Sequence, residues 1–361
     1  MTTDESTPIP VRLFTLAEVV TRFDFPSNTG ARQVVGVIGW GPRGSIGIDT
    51  SRRPDVEIIL IGEQVNGATS GELMMDTAIV GGVLPDATLR LYLSLADGDS
   101  IAEAIATATS ECNVTTCSFG HPFDGPQWST EVVQRIDATL QQAGARGVTP
   151  CFASGDSGAA KVAYPASSPF ALAVGGVYIP TQAHAAAVWW NWIMKHDAWT
   201  WMASGGGVNT TYQNSVPSYQ TQLMPVTDTA GTQRTGRGVP DVAGLGQGLE
   251  HYDGTSACSP LWASLIARIN CALGYDTTTT PVGVGNIHDV IYNAQVAASA
   301  FTDITTGNNV PSSGQTWGYD AQPGWDACTG WGTPRGGQLL SALKAARPAP
   351  RPKARTDDPA A

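Results

Sequence analysis

The chain has 361 residues, 42% of them hydrophobic and 41 of them glycine, which makes it a globular protein able to bury one large core or two smaller ones. A formal net charge of −11 and a pI near 4.8 argue against a general nucleic-acid or anionic-membrane surface, because phosphate binding draws its affinity from clustered Lys and Arg. Only 14% of residues are charged, a composition suited to acid, where paired carboxylates would protonate and lose their stabilisation.

In chain order, the polar start MTTDESTPIP has neither the basic region nor the apolar core of a signal peptide. No apolar run reaches the ~18 to 20 residues that span a bilayer. Residues 1–30 read as an arm laid over the core. Short β-branched runs then alternate with helical stretches: QVVGVIG (33–39), VEIILI (56–61), TLRLYLS (88–94), VTTCSF (114–119), GVTPCFAS (147–154) and FALAVGGV (170–177). Such continuous apolar runs predict buried parallel strands. Helices are expected at 72–84, 100–110 and 129–144, the last with Val132, Val133, Ile136 and Leu140 on one face. The alternation predicts an α/β fold, one parallel sheet flanked by helices in a single domain over 31–345. Chemistry in such sheets gathers at the carboxyl ends of strands. Residues 204–254 are rich in Gly, Thr, Ser and Gln and read as long loops. The core resumes in the apolar helix after Ser256, and 346–361, alternating proline with charge, reads as a disordered tail.

The six cysteines, at 112, 117, 151, 258, 271 and 328, contain no CxxC pair, so neither a zinc cage nor a redox motif is indicated. Cys112 and Cys117 are close enough in sequence to pair. Cys258 and Cys271, if both lie on the helix after Ser256, stand about 20 Å apart and cannot bond each other.

Ser256 lies where a small-residue turn, YDGTS, becomes an apolar helix. A helix start carries unpaired N–H groups and partial positive charge, so a hydroxyl there can serve as a nucleophile beside an oxyanion site. Ser and Thr are also ordinary N-caps, a purely structural role open to Thr255 or Ser256. Glu72 and Asp76 stand four apart at a helix start, about 40° apart on one face. Two stacked acids either form a solvated face or share a proton, which turns one of them into a base of raised pKa. Asp156, between glycines after a buried strand, suits an Asx turn or a carboxyl at the sheet edge. The DSG around it resembles one half of the aspartic-peptidase signature, but that class needs two such loops. A serine hydrolase of the usual kind needs a histidine base, and none of His121, His184, His196, His251 and His288 lies in a typical histidine helix start. Acids must then do the base's work.

GTSACSPLWASLIARIN, ASGDSG, SGGGV, GRGVPDVAG, FTDITTGNN and PGWDACTGWGTP, taken together and in order over about 30–345, resemble the sedolisin family of serine-carboxyl peptidases. The resemblance implies a subtilisin-like fold and an acid-acting endopeptidase, with Ser256 as nucleophile, Glu72 as general base, Asp76 as the acid orienting Glu72, and Asp156 as the oxyanion-hole acid. It also implies one structural calcium ion, held by Asp303 and Asp326 and by the carbonyls of Ile304, Gln322 and Gly324. Where some members extend the acid network with a glutamate and a tryptophan, this chain carries Gly39 and Phe119. Where the family often has glycine, it carries Gln322, which matters only if that residue needs a positive φ. The expected partner is a polypeptide substrate, bound by a monomer, with no nucleic acid and no membrane. Members are usually made behind a prodomain and signal peptide, which this sequence does not carry. A matured form, or an extracellular or virion-associated peptidase without a prodomain, fits that pattern. The competing expectation is a peptidase-fold protein without turnover, kept for a binding or structural role.

Overall fold

The computed structural model describes residues 11–40, 56–61, 71–122, 127–181, 185–195, 198–212, 214–250, 252–279, 282–311 and 316–347. Its centre is an eight-stranded sheet. We label the strands β1 (Val34–Trp40), β2 (Val56–Leu60), β3 (Thr88–Ser94), β4 (Val114–Cys117), β5 (Thr149–Ala153), β6 (Leu172–Tyr178), β7 (Ala187–Val188) and β8 (Val242–Leu245). Seven run parallel in the order β8-β6-β5-β4-β1-β3-β2, and β7 pairs antiparallel with β6. The chain winds outward from β1 on one side and then from β4 on the other, so the crevice at the carboxyl ends of β1 and β4 is the switch point where such sheets place their sites.

Helices α2 (Gly71–Val83) and α5 (Thr255–Leu273) pack together on one face, and α3 (Gly98–Glu111) and α4 (Thr130–Arg146) on the other. Strand alternation divides the side chains between these layers. Val35 and Val37 join the α2/α5 core, while Ile38 and Trp40 join the α3/α4 core. With both faces covered, the central strands are buried almost throughout. Only the edge strand β2 exposes Glu57, Ile58 and Leu60. Helix α4 is capped by Ser129, which accepts from the Val132 N–H, and it stops at Gly147 with φ 100°. Val132, Ile136 and Leu140 are buried as expected, while Val133 is only half-buried.

Residues before β1 do more than drape the surface. Helix α1 (Leu16–Arg22) opens with a capping box between Thr15 and Glu18, and Phe14, Val19, Phe23 and Phe25 enter the α2/α5 core. The stretch 204–254, expected to be loops, supplies the edge strand β8, in register with β6 from Val242↔Val174 to Leu245↔Val177. Four residues with a glycine among them carry too little periodicity to announce a strand. A further antiparallel pair, Trp190–Lys195 with Ala198–Ala203, was equally silent in the sequence pattern. All six cysteines are free thiols. Cys112 lies 3.5 Å from the Tyr92 hydroxyl, and Cys117 donates to the Phe119 carbonyl at 3.4 Å, so the pairing open to them in sequence is not made. Among the described residues no helix is long and apolar enough to cross a membrane.

Candidate active site

Helix α5 runs under β4, β5, β6 and β8 and is buried along its first thirteen residues. Its N-cap is Gly254, at φ 95°. Neither Thr255 nor Ser256 is the cap, so the purely structural role open to them in the sequence is not the one they take. Thr255 is the first helical residue and Ser256 the second, with 8% of the latter exposed.

Asp156 follows β5 and sits over this helix start. Its Oδ1 accepts from the Thr255 N–H and the Thr255 hydroxyl, both at 2.8 Å. The same hydroxyl accepts from the Gly155 N–H at 3.1 Å. Gly254 is needed for closeness as well as for its φ, since a Cβ there would lie 3.0 Å from Asp156 Oδ2. Asp253 adds a second carboxyl. Burial raises it above the ordinary range, the Gly248 N–H lowers it, and Asp156 raises it again.

Glu72 and Asp76 lie one turn apart on α2, but in different surroundings. Glu72 is half-buried, while Asp76 is wholly buried, which rules out a solvated face for the second acid. Burial first, and then the charge of Glu72, push the Asp76 carboxyl well above the ordinary carboxylate range, against a hydrogen bond from Ser118. Ser118 Oγ lies 2.8 Å from Asp76 Oδ1 and 3.0 Å from the Ser256 carbonyl oxygen. Sequence reasoning passed over this residue and over Thr255 as a support for Asp156. The available signal was strand alternation: Thr116 on β4 and Ser118, the first residue past its end, both turn toward α5, and Thr116 Oγ1 lies 2.8 Å from Ser259 Oγ.

The acid network goes no further along β1. A Cβ on Gly39 would come within 2.6 Å of Leu73 Cδ2, so leucine fills the space in which a longer acid would have to lie. Phe119 packs on Trp40, with ring centroids 5.3 Å apart. Two of the five histidines fall within the described residues, and both are engaged elsewhere. His121 Nε2 accepts from Trp40 Nε1 at 3.2 Å, and His288 Nε2 lies 3.2 Å from Asp241 Oδ2. His184, His196 and His251 lie outside the described residues.

The turns expected to hold calcium abut one another. Asp303 Oδ2 accepts from the Gly324 N–H at 2.9 Å, and Asp326 Oδ2 from the Gln322 N–H at 3.2 Å. Ile304 is buried beside them. Gln322 is not among the residues of positive φ, whereas Gly324 has φ 87°, so glutamine is no obstacle to a carbonyl ligand there. Asp326 is buried, and burial outweighs its backbone and Thr329 hydrogen bonds to push its carboxyl up to about 7. Two hard carboxylates on adjoining turns, one of them buried, suit an oxygen-seeking cation such as calcium. No group of three or more His, Cys, Asp or Glu side chains arranged to hold a metal ion occurs among the described residues, so carbonyl oxygens would have to complete such a site.

A buried serine at the start of a central helix, at the carboxyl edge of a parallel sheet, is a placement shared by serine hydrolases of α/β fold. The subtilase family profile matches residues 58–332. Kumamolisin from Bacillus sp. (strain MN-32) is 30% identical over 371 aligned positions, covering 91% of this chain and 63% of its own length. Tripeptidyl-peptidase 1 from Canis lupus familiaris is 29% identical over 261 positions, 64% of this chain and 43% of its own. This chain therefore spans less than two thirds of the length of these curated relatives. A solved structure of Pseudomonas sedolisin, a serine-carboxyl proteinase complexed with two molecules of pseudo-iodotyrostatin, superposes with a TM-score of 0.72 at 23% identity, covering 93% of this chain and 99% of that one. The chain belongs to the subtilase family, and among its members it is similar to kumamolisin in sequence and to sedolisin in fold.

Proposed function

We propose that the protein is a serine-carboxyl endopeptidase that works in acid, with Ser256 as nucleophile, Glu72 as base, Asp76 as the acid beside it and Asp156 as oxyanion donor. The observation that carries this is the placement of Asp76, wholly buried one turn beyond Glu72 and tied through Ser118 to the backbone of Ser256.

Glu72 takes the Ser256 hydroxyl proton as Oγ attacks the peptide carbonyl carbon. The carbonyl oxygen becomes an oxyanion between Asp156 and the Ser256 N–H, which as the second helical N–H has no intrahelical acceptor. Oδ1 of Asp156 accepts both Thr255 donors, so the hydroxyl of a protonated Asp156 resides on Oδ2. A protonated carboxyl donates, whereas an ionised one only accepts. The tetrahedral intermediate collapses as Glu72 returns the proton to the leaving nitrogen. The C–N bond breaks and leaves an ester on Ser256, which water then hydrolyses with Glu72 again as base. Calcium, when bound, would neutralise Asp303 and Asp326 and pin their turns, and it takes no part in these steps.

The test is incubation with a denatured protein across pH, beside Ser256→Ala, with products identified by mass spectrometry. Internal cuts in acid that vanish in the variant support the proposal. Release of N-terminal tripeptides alone would replace the endopeptidase with an exopeptidase. No Ser256-dependent product at any pH would leave a fold kept for binding.

A further inference from the structure

In an α-helix the carbonyl of residue i accepts from the N–H of residue i+4. For Ser256 that residue is Pro260, inside α5, which has no N–H and whose ring crowds the carbonyl four residues back. The Ser256 carbonyl is thereby cut from the helical ladder. Its donor comes from another element, Ser118 Oγ at 3.0 Å. That same oxygen lies 2.8 Å from Asp76 Oδ1.

A serine hydroxyl has one hydrogen, and a backbone carbonyl can only accept. With the hydrogen given to Ser256, a contact of 2.8 Å to Asp76 holds only if the carboxyl supplies a hydrogen of its own. Were the hydrogen turned to an ionised Asp76 instead, the Ser256 carbonyl would be left without its donor, at a cost of about 1–3 kcal/mol if it stays buried. We propose that Ser118 is a positioning residue of the catalytic pair: it accepts from a neutral Asp76 and donates to the Ser256 carbonyl, so the pair's single proton rests on Asp76 and Glu72 is left as the base.

The surroundings of Asp76 favour the neutral form. Its other oxygen has no hydrogen-bond partner among the described residues. The titratable groups facing it are Glu72 on its own helix and Cys117 on β4. Burial pushes that thiol well above its ordinary range, so it brings no charge. Alternation from β4 supports the placement, because Thr116, two residues earlier, also turns to α5, where its Oγ1 lies 2.8 Å from Ser259 Oγ.

This inference rests on the proposed roles of Glu72 and Ser256, yet its first test does not need turnover. The full-length protein is labelled with 13C-aspartate and its infrared difference spectrum recorded about two units above the ordinary Asp pKa of about 3.9. A protonated-carboxyl band is expected that is absent in Asp76→Asn, moves in Ser118→Ala and is retained in Ser118→Thr. Should Ser118→Ala fail to fold, Ser118→Cys, with a weak donor and acceptor, gives the same displacement in smaller measure. In peptide cleavage, kcat of Ser118→Ala is expected to fall about tenfold, the equivalent of one hydrogen bond, with KM little changed and Ser118→Thr restoring the rate. An ionised Asp76 at that pH, or a band indifferent to Ser118, overturns the inference whether or not the protein cleaves peptides. A band that behaves as expected in a protein without Ser256-dependent cleavage overturns the proposed function instead.

Discussion

Asp76 and Asp241 are both wholly buried, yet their surroundings drive them to opposite charge states. Around Asp241, burial raises the carboxyl, but the charges of Arg237 and then His288 outweigh it and hold it well below the ordinary range. Arg237 Nη2 donates to Oδ2 at 2.7 Å, the Ala173 N–H to Oδ2 at 2.8 Å and the Tyr292 hydroxyl to Oδ1 at 2.7 Å. Among the described residues Asp76 has no cation beside it, only the Ser118 hydroxyl and the repulsion of Glu72. The fully paired carboxylate fastens β6, the loop before β8 and the helix His288–Ile291 to one another. The one without a cation is pushed toward its neutral form. Burial alone therefore says nothing of charge; what decides it is whether the sequence brings an arginine along.

If Asp76 serves chemistry and Asp241 serves the fold, substitutions on the two sides should separate activity from stability. The largest effect is expected at Ser256→Ala, which should cut cleavage by up to about 10⁶-fold while thermal melting stays at wild type. Near-wild-type cleavage in that variant would move the nucleophile elsewhere. Next comes Arg237→Leu, which strips Asp241 of its main partner and should cost about 3–5 kcal/mol in chemical denaturation, with activity per folded molecule preserved. A stable but inactive Arg237→Leu protein would erase the division of labour.

Asp156→Ala removes an oxyanion donor and should lower kcat by about 10²- to 10³-fold. Asp156→Asn keeps a donor that does not titrate, so its lower peak rate should extend further toward alkaline pH. Identical pH profiles for wild type and Asp156→Asn would take Asp156 out of the mechanism. Chelation should lower the melting temperature, since a ligand bound only by the native state contributes about 2.7 kcal/mol at a hundredfold excess over Kd. Unchanged melting, with no calcium by metal analysis, would leave Asp303 and Asp326 as turn formers.

The smallest effect is the sharpest test of the comparison. The folded-state pKa of Asp76 is raised, so its contribution to stability is complete below the unfolded value of about 3.9 and is lost as pH rises toward the folded one. That of Asp241 is depressed, so its contribution is present above about 3.9 and is lost as pH falls toward the folded value. Denaturation free energies measured across pH should therefore flatten on the neutral side in Asp76→Asn and on the acid side in Asp241→Asn. Each change is at most about 1.4 kcal/mol per pH unit, the slope of one proton. Flattening on the same side in both variants would contradict the assignment.

Much of this architecture is legible in the chain. Continuous apolar runs mark the central strands because both faces of the sheet are covered, and the spacing of Glu72 and Asp76 puts them on one helical face. The burial of Asp76 is not legible, because acids at a helix start look the same whether the helix faces water or a core. Ser118 is only half legible: alternation with Thr116 points it toward α5, but one serine past a strand's end acquires its meaning only from a proline on a distant helix. Arg237, Asp241, His288 and Tyr292 meet through tertiary packing, and no local pattern joins them. Strand β8 stays hidden because its four residues include a glycine and lie in a stretch rich in Gly, Thr, Ser and Gln, whereas the equally short β4 is wholly β-branched but for its cysteine.

Leucine 73 against Gly39 has a consequence for proton traffic. Behind Asp76 lies hydrocarbon, where a further acid on β1 would have opened an onward route, and the close approach of the two residues leaves no room for one. Any proton that Asp76 gains or gives up has two polar neighbours to pass through, Glu72 and Ser118, both half-buried. A longer chain of acids would act as a reservoir, smoothing its response over several units of pH. A pair that stops at Asp76 has no such reservoir, so its protonation should change over a narrower range of pH.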